Sequence, residues 1–126
     1  MKKIVILESE EILLSAIEFR LKKQGYQVIY CPKLTDILSF ISSEKPNMVI
    51  VDLDMKKKKG LEIIEKLRKD YSSPLGILLV ADPEEEENIM AAFDLNVDDF
   101  LPKPFKPAEL ILRARRIMNN HLNNII

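Results

Sequence analysis

The most constraining feature of this sequence is an uninterrupted apolar run that ends in two carboxylates, over residues 47–54 (Asn-Met-Val-Ile-Val-Asp-Leu-Asp). Four consecutive large apolar residues without polar alternation are typical of a strand covered on both faces, as in the centre of a parallel sheet. Asp52 therefore lies at the carboxyl end of a buried strand. Because ligands of open α/β sheets bind beyond the carboxyl ends of the strands, Asp52 is the first candidate functional residue.

Strand and helix patterns alternate along the rest of the chain. Further apolar runs predict strands over residues 3–7, 27–30, 77–80 and 99–102. Apolar residues at helical spacing predict helices over residues 10–24, 34–43, 61–69, 84–94 and 107 to about 120. The fourth of these helices is predicted to direct Ile89, Ala92 and Phe93 inward. The alternation predicts a single-domain α/β fold of the flavodoxin-like kind, with a doubly wound, five-stranded parallel sheet and helices on both faces.

The expected strand order, 2-1-3-4-5, places candidate side chains at one edge of the sheet. The first and third strands are neighbours where the winding reverses, so Glu8-Ser9-Glu10 and Asp52–Asp54 meet in one crevice. Such carboxylates suit a hard cation such as Mg²⁺, and an Asp beside such a metal can accept a phosphoryl group. Lys103, after the fifth strand, would bring an ammonium to the same rim as a partner for a phosphoryl oxygen, and its bond to Pro104 is one that can be cis.

Length and composition limit the alternatives. The 126 residues are enough for one domain, which we place over residues 1–120, with 121–126 as a C-terminal tail or the start of a linker. The net charge of −1 gives no global field that favours nucleic acid or an anionic membrane, so Arg113, Arg115 and Arg116 are interpreted as contacts to a partner protein or to another domain, and not to DNA. A single cysteine, with no leader and no long apolar span, is typical of a cytoplasmic protein.

In order and spacing, these residues resemble the receiver domain of bacterial two-component response regulators, and the resemblance covers nearly the whole chain. It is carried by the acidic cluster 8–10, by Asp52, by Gly60 at the start of the third helix and by Lys103-Pro104-Phe105. The resemblance implies phosphorelay signalling and not enzymatic activity: Asp52 would accept a phosphoryl group from a histidine kinase or a phosphotransfer protein.

The same resemblance assigns the remaining roles at the site. Lys103 would contact the phosphoryl group, while Glu8, Asp52 and the carbonyl group of Asp54 would hold Mg²⁺. Residues 98–105 are similar to the subfamily that dimerises through the fourth helix, fifth strand and fifth helix and carries a winged-helix DNA-binding domain. We therefore expect a homodimer through this face, in which Asp98 or Asp99 pairs with Arg113 across a two-fold axis. We also expect a C-terminal DNA-binding effector domain absent from this chain.

Three positions, Ser9, Ala81 and Asp82, depart from the family pattern. Asp82 either adds negative charge near the site or serves as a replacement metal ligand. Ser9 stands where the family has an Asp that binds the metal, so we expect weak Mg²⁺ binding. Ala81 stands where a Thr or Ser normally hydrogen-bonds the phosphoryl group, so the switch that couples this hydroxyl to the aromatic residue at Phe100 is altered. The run from Lys56 to Lys59 replaces a loop that usually contains Pro and Asp.

The lysine run leaves two interpretations open. Four lysines on a surface loop are ordinarily solvated, but Lys56 or Lys58 could instead enter the acidic crevice and substitute for the cation. The alternative function is accordingly a pseudo-receiver that acts as a protein-interaction module without phosphorylation. A domain that binds FMN is disfavoured, because no glycine-rich phosphate loop follows the first strand and Glu8-Ser9-Glu10 would repel the phosphate.

Overall fold

A computed structural model of the chain describes residues 2–7, 11–31, 36–53 and 59–125, without the side chains of 11–15, 59 and 121–125. The strands are β1 (Lys3–Leu7), β2 (Gln27–Tyr30), β3 (Met48–Asp52), β4 (Gly76–Ala81) and β5 (Asp99–Pro102). The helices are α1 (Glu11–Lys23), α2 (Ile37–Glu44), α3 (Lys59–Asp70), α4 (Glu86–Asp94) and α5 (Pro107–Ile125). Each predicted strand and helix is present.

The five strands form one parallel sheet in the order β2-β1-β3-β4-β5, which confirms the predicted fold and topology. Every residue of β3 is buried, as expected for a central strand without polar alternation. The register places Asp52 beside Val80 and places Ala81 beside Pro102. The ends of β3, β4 and β5 therefore lie side by side at the carboxyl edge of the sheet.

Apolar layers cover both faces of the sheet. One layer packs α2, α3 and α4 against the sheet through residues that include Ile41, Ile64, Leu67, Ile89 and Ala92. The other packs α1 and α5 through residues that include Ile17, Leu21, Leu110, Ala114, Ile117 and Met118. Because apolar layers pack on both faces of the sheet, the position of each strand end is fixed. The side chains at the strand ends are positioned with it.

The predicted inward face of α4 is partly wrong. Ile89 and Ala92 are buried, but the side chain of Phe93 is 46% exposed and lies on the outer side with Met90. The helix is nine residues long and buries a narrow stripe, while Leu95 and Val97 beyond its end complete the packing against the sheet. Phe93 is therefore displaced to the surface.

The predicted end of the last helix is also wrong, because α5 continues to Ile125, five residues beyond Asn120. Once a helix is nucleated, each added residue contributes a backbone hydrogen bond, which outweighs the modest helix propensity of asparagine. The assignment of residues 121–126 to a tail or linker stays a prediction.

Candidate functional site

Asp52 is the one charged residue that is fully buried in the part of the chain the structure describes, with 0% of its surface exposed. It ends β3, and all of the apolar strand before it is buried as well. Removing an ionised carboxylate from water is costly unless an opposite charge compensates it. The burial of Asp52 therefore requires a cation close by.

Lys103 provides that cation. Its Nζ donates a hydrogen bond to Oδ2 of Asp52 at 2.7 Å, although the two residues lie 51 positions apart in the sequence. The backbone N–H of Lys103 donates to the carbonyl oxygen of Ala81 at 2.8 Å, which continues the pairing of β4 with β5 beyond the strand end. The side chain of Lys103 is 21% exposed, so its ammonium lies between the buried carboxylate and solvent. The Lys103–Pro104 peptide bond is cis.

Four of the predicted site residues, Glu8, Asp54, Lys56 and Lys58, lie outside the described residues. The metal ligands and the substitute cation that the sequence suggests therefore stay predictions. Within the described ranges, no group of three or more His, Cys, Asp or Glu side chains is arranged to hold a metal ion.

Ala81 and Phe100, the predicted switch positions, both lie at the carboxyl half of the sheet. Ala81 ends β4, one residue beyond the register partner of Asp52, and its side chain is fully buried. Phe100 is half-buried and packs against the apolar layer that contains Ala81. A methyl group donates no hydrogen bond, so position 81 cannot bind a phosphoryl oxygen through its side chain.

The single cysteine of the chain, Cys31, lies directly after β2 and has a free thiol. Burial against the α2, α3 and α4 layer raises the pKa of this thiol. Because the thiolate is the reactive form, this raised pKa lowers the reactivity of Cys31 at neutral pH.

Arg68 forms a network that the sequence analysis did not identify. From α3, its guanidinium donates to the carbonyl oxygens of Leu75 and Asn96, each at 2.7 Å, and to the carboxylate of Asp98 at 3.2 Å. Asp98 also accepts a hydrogen bond from the backbone N–H of Ile77 at 2.7 Å. In the sequence, an arginine in the last turn of a helix indicates nothing more than a favourable place in the helix dipole.

The charges assigned to a contact across a two-fold axis are paired within the chain. Arg113 donates to both carboxylate oxygens of Asp99, at 2.9 and 3.1 Å, and Asp98 pairs with Arg68. The first pair joins α5 to β5, and the second joins α3 to the segment before β5. These contacts stabilise the edge of the sheet in a single copy.

The described residues include no helix that is both long and apolar enough to cross a membrane.

Among solved structures, the chain is similar to a signal receiver domain from Bermanella marisrubri, with 28% identity, a TM-score of 0.80 and coverage of 91% of this chain and 96% of that one. It is also similar to the receiver domain of the TMAO respiratory regulator TorR, with 21% identity, a TM-score of 0.84 and coverage of 95% and 98%. NtrX from Brucella abortus matches 98% of this chain over 28% of its own length, at 22% identity and a TM-score of 0.83.

The sequence profile of the response regulator receiver domain matches residues 4–115, which includes Asp52, Lys103 and every strand residue except Lys3. With the parallel sheet in the order β2-β1-β3-β4-β5 and a buried aspartate at the end of its third strand, this match identifies the chain as a member of the response regulator receiver domain family.

Proposed function

We propose that this receiver domain accepts a phosphoryl group on Asp52 from the phosphohistidine of a kinase or a phosphotransfer protein. The observation that carries the proposal is the 2.7 Å contact between the buried Asp52 carboxylate and the Lys103 ammonium at the carboxyl edge of the sheet. In the transfer, a carboxylate oxygen bonds to phosphorus while the P–N bond to the histidine breaks and the imidazole departs.

Lys103 would balance charge before and after the transfer. Before it, the ammonium compensates the buried carboxylate; after it, negative charge resides on the phosphoryl oxygens, which lie farther from β3. The ammonium is a point charge on a flexible stem and is 21% exposed, so it can follow that charge outward. An ion pair at this position therefore suits an acceptor whose charge moves during the reaction.

Receiver domains typically bind Mg²⁺ at an acidic pocket, and the oxygen donors of this chain fit such an ion in kind. Asp52 supplies a buried carboxylate, and Glu8 and the carbonyl group of Asp54 would complete the protein ligands. When bound, Mg²⁺ would neutralise charge on the phosphoryl oxygens. Binding should be weak, because Ser9 contributes no charge and Lys103 already occupies one carboxylate oxygen of Asp52.

Incubation with acetyl phosphate and Mg²⁺, followed by intact mass measurement, tests the proposal. The chain should gain one phosphoryl group, and the Asp52→Asn variant should gain none, because an amide is not a nucleophile toward phosphorus. The matched control is Asp70→Asn, which removes an exposed carboxylate at the last residue of α3 and should leave the adduct unchanged. An adduct of equal size in Asp52→Asn would refute the assignment.

The second candidate function, a pseudo-receiver that binds proteins without phosphorylation, is favoured by one observation. The methyl group of Ala81 is buried beside the strand that carries Asp52 and offers no hydrogen bond to a phosphoryl group. If the chain has this function, no phosphoryl adduct should form at any Mg²⁺ concentration. Partner binding should persist in the Asp52→Asn variant.

Restoring a hydroxyl at position 81 should increase phosphorylation. Ala81→Ser places a donor one residue beyond the register partner of Asp52, and a hydrogen bond to a charged group contributes about 1.5 kcal/mol, which corresponds to roughly a tenfold larger ratio of phosphorylated to free protein. Intact mass at limiting acetyl phosphate measures this ratio. Ala92→Ser, which buries a hydroxyl in α4 instead, should not change it; equal ratios in Ala81→Ser and wild type would contradict the expectation.

The proposal extends to a homodimer through α4, β5 and α5. The edge strand β5 lies between these helices, and large apolar side chains are exposed on both, Met90 and Phe93 on α4 and Leu112 on α5. Exposed apolar residues on adjacent elements suit an interface with a second copy. A C-terminal effector domain that binds DNA belongs to the same proposal and rests on the likeness of residues 98–105 to regulators that carry a winged-helix domain. NtrX is an example of a matching region within a longer chain, since that region is 28% of its length.

A further inference from the structure

We propose that Gly60 is a positioning residue for Asp52: the absence of a side chain at the start of α3 sets the place of the Asp52–Leu53 peptide, and through it the contact of Asp52 with Lys103. The consequence for phosphorylation rests on the proposed function. The consequence for the geometry of Asp52 and Lys103 does not depend on that function.

The backbone of Gly60 lies directly against the residues that end β3. A Cβ atom at position 60 would be 3.0 Å from the Cα of Leu53 and 3.2 Å from the carbonyl oxygens of Asp52 and Leu53. All three neighbours are backbone atoms. A flexible side chain could rotate away from the added atom, whereas these atoms can yield only if the peptide itself moves.

Helix α3 has little freedom to withdraw from this contact. Ile63, Ile64 and Leu67 anchor its inner face in the apolar layer. Near its far end, Arg68 binds the carbonyl oxygens of Leu75 and Asn96. Both attachments would have to deform for the helix to retreat, and close-packed interiors resist such deformation.

Of the two segments in contact, the Asp52–Leu53 peptide is the one that belongs to the candidate functional site. The backbone N–H of Leu53 donates to the carbonyl oxygen of Val80 at 2.8 Å, so a displacement here changes the end of the β3–β4 pairing. It also moves the Asp52 carboxylate relative to Lys103, whose backbone is held by Ala81. A side chain at position 60 therefore changes the relation between acceptor and ammonium without removing either group.

The test compares Gly60→Ala with Gly25→Ala as a matched control. Gly25 has a φ of +93°, so alanine strains the backbone there, but nothing lies within 4 Å of its added Cβ atom. Both variants should lose stability. In Gly60→Ala alone, the carboxyl ¹³C resonance of Asp52 and the ammonium ¹⁵N resonance of Lys103 should shift at fixed pH, and phosphorylation by acetyl phosphate should slow by about threefold or more.

Wild-type resonances in Gly60→Ala would overturn the inference, as would shifts of equal size in Gly25→Ala. If Gly60→Ala does not fold in buffer, the spectra are recorded in sucrose, which favours the folded state. Failure to fold there, with Gly25→Ala folded, would also overturn it, because the contact would then support the whole fold and not the acceptor. Because the resonances need no phosphorylation, a wild-type chain that accepts no phosphoryl group refutes the proposed function and leaves this test in force.

Discussion

Replacing Lys103 by Met is expected to lower the free energy of unfolding by about 3 kcal/mol, because it leaves the buried carboxylate of Asp52 without its ammonium partner. The reverse substitution, Asp52→Asn, should cost less, since the remaining ammonium is partly exposed and can turn toward water. Urea unfolding of both variants measures the two effects.

The double variant, Asp52→Asn with Lys103→Met, provides the control for this asymmetry. It removes both charges together, so its stability should exceed that of Lys103→Met alone, and the coupling energy of the cycle should be favourable. A coupling energy near zero would show that Lys103 does not compensate the burial of Asp52. Lys103→Met should also accumulate little phosphoryl adduct, because no ammonium remains to meet the transferred charge.

Replacing Arg68 by Met is expected to cost about 2 kcal/mol, which is the second large effect on stability. The substitution removes hydrogen bonds to Leu75, Asn96 and Asp98 and leaves polar groups that Arg68 had satisfied. Urea unfolding measures the loss, and hydrogen exchange should show faster opening of the segment between α4 and β5.

Lys22→Met is the matched control for Arg68→Met. It also removes a cation bonded to a carboxylate, but the Lys22–Glu18 pair is more exposed and lies within one helix. We expect a cost below about 0.5 kcal/mol, as for other exposed pairs on a helix. Equal losses in the two variants would mean that the Arg68 network contributes no more than a surface ion pair.

The fold was predictable because the apolar pattern is unambiguous at the centre of the sheet. Residues 48–51 can all be removed from water only if their strand lies between two apolar layers. The alternation of strands with helices then leaves few possible topologies. The outer face of α4 was less predictable. Phe93 fits an apolar stripe in sequence, and its exposure depends on how Leu95 and Val97 fill the space beyond the helix.

The meeting of Asp52 with Lys103 was predictable from the strand order, since both follow strands that end at one edge of the sheet. The Arg68 network was not, because its acceptors include two backbone carbonyls whose positions no side-chain pattern indicates. The same limit applies to Gly60. The sequence places a glycine at the start of α3, but its 3.0 Å approach to Leu53 depends on how α3 packs against the end of β3.

Mapping the modified residue shows whether Asp52 is the phosphoryl acceptor. After incubation with acetyl phosphate and Mg²⁺, borohydride reduces an aspartyl phosphate to homoserine, and peptide mass spectrometry locates the converted position. Homoserine is expected at position 52 and at no other carboxylate. Conversion at a different residue, or no conversion at any Mg²⁺ concentration, would contradict the assignment of Asp52 as the acceptor.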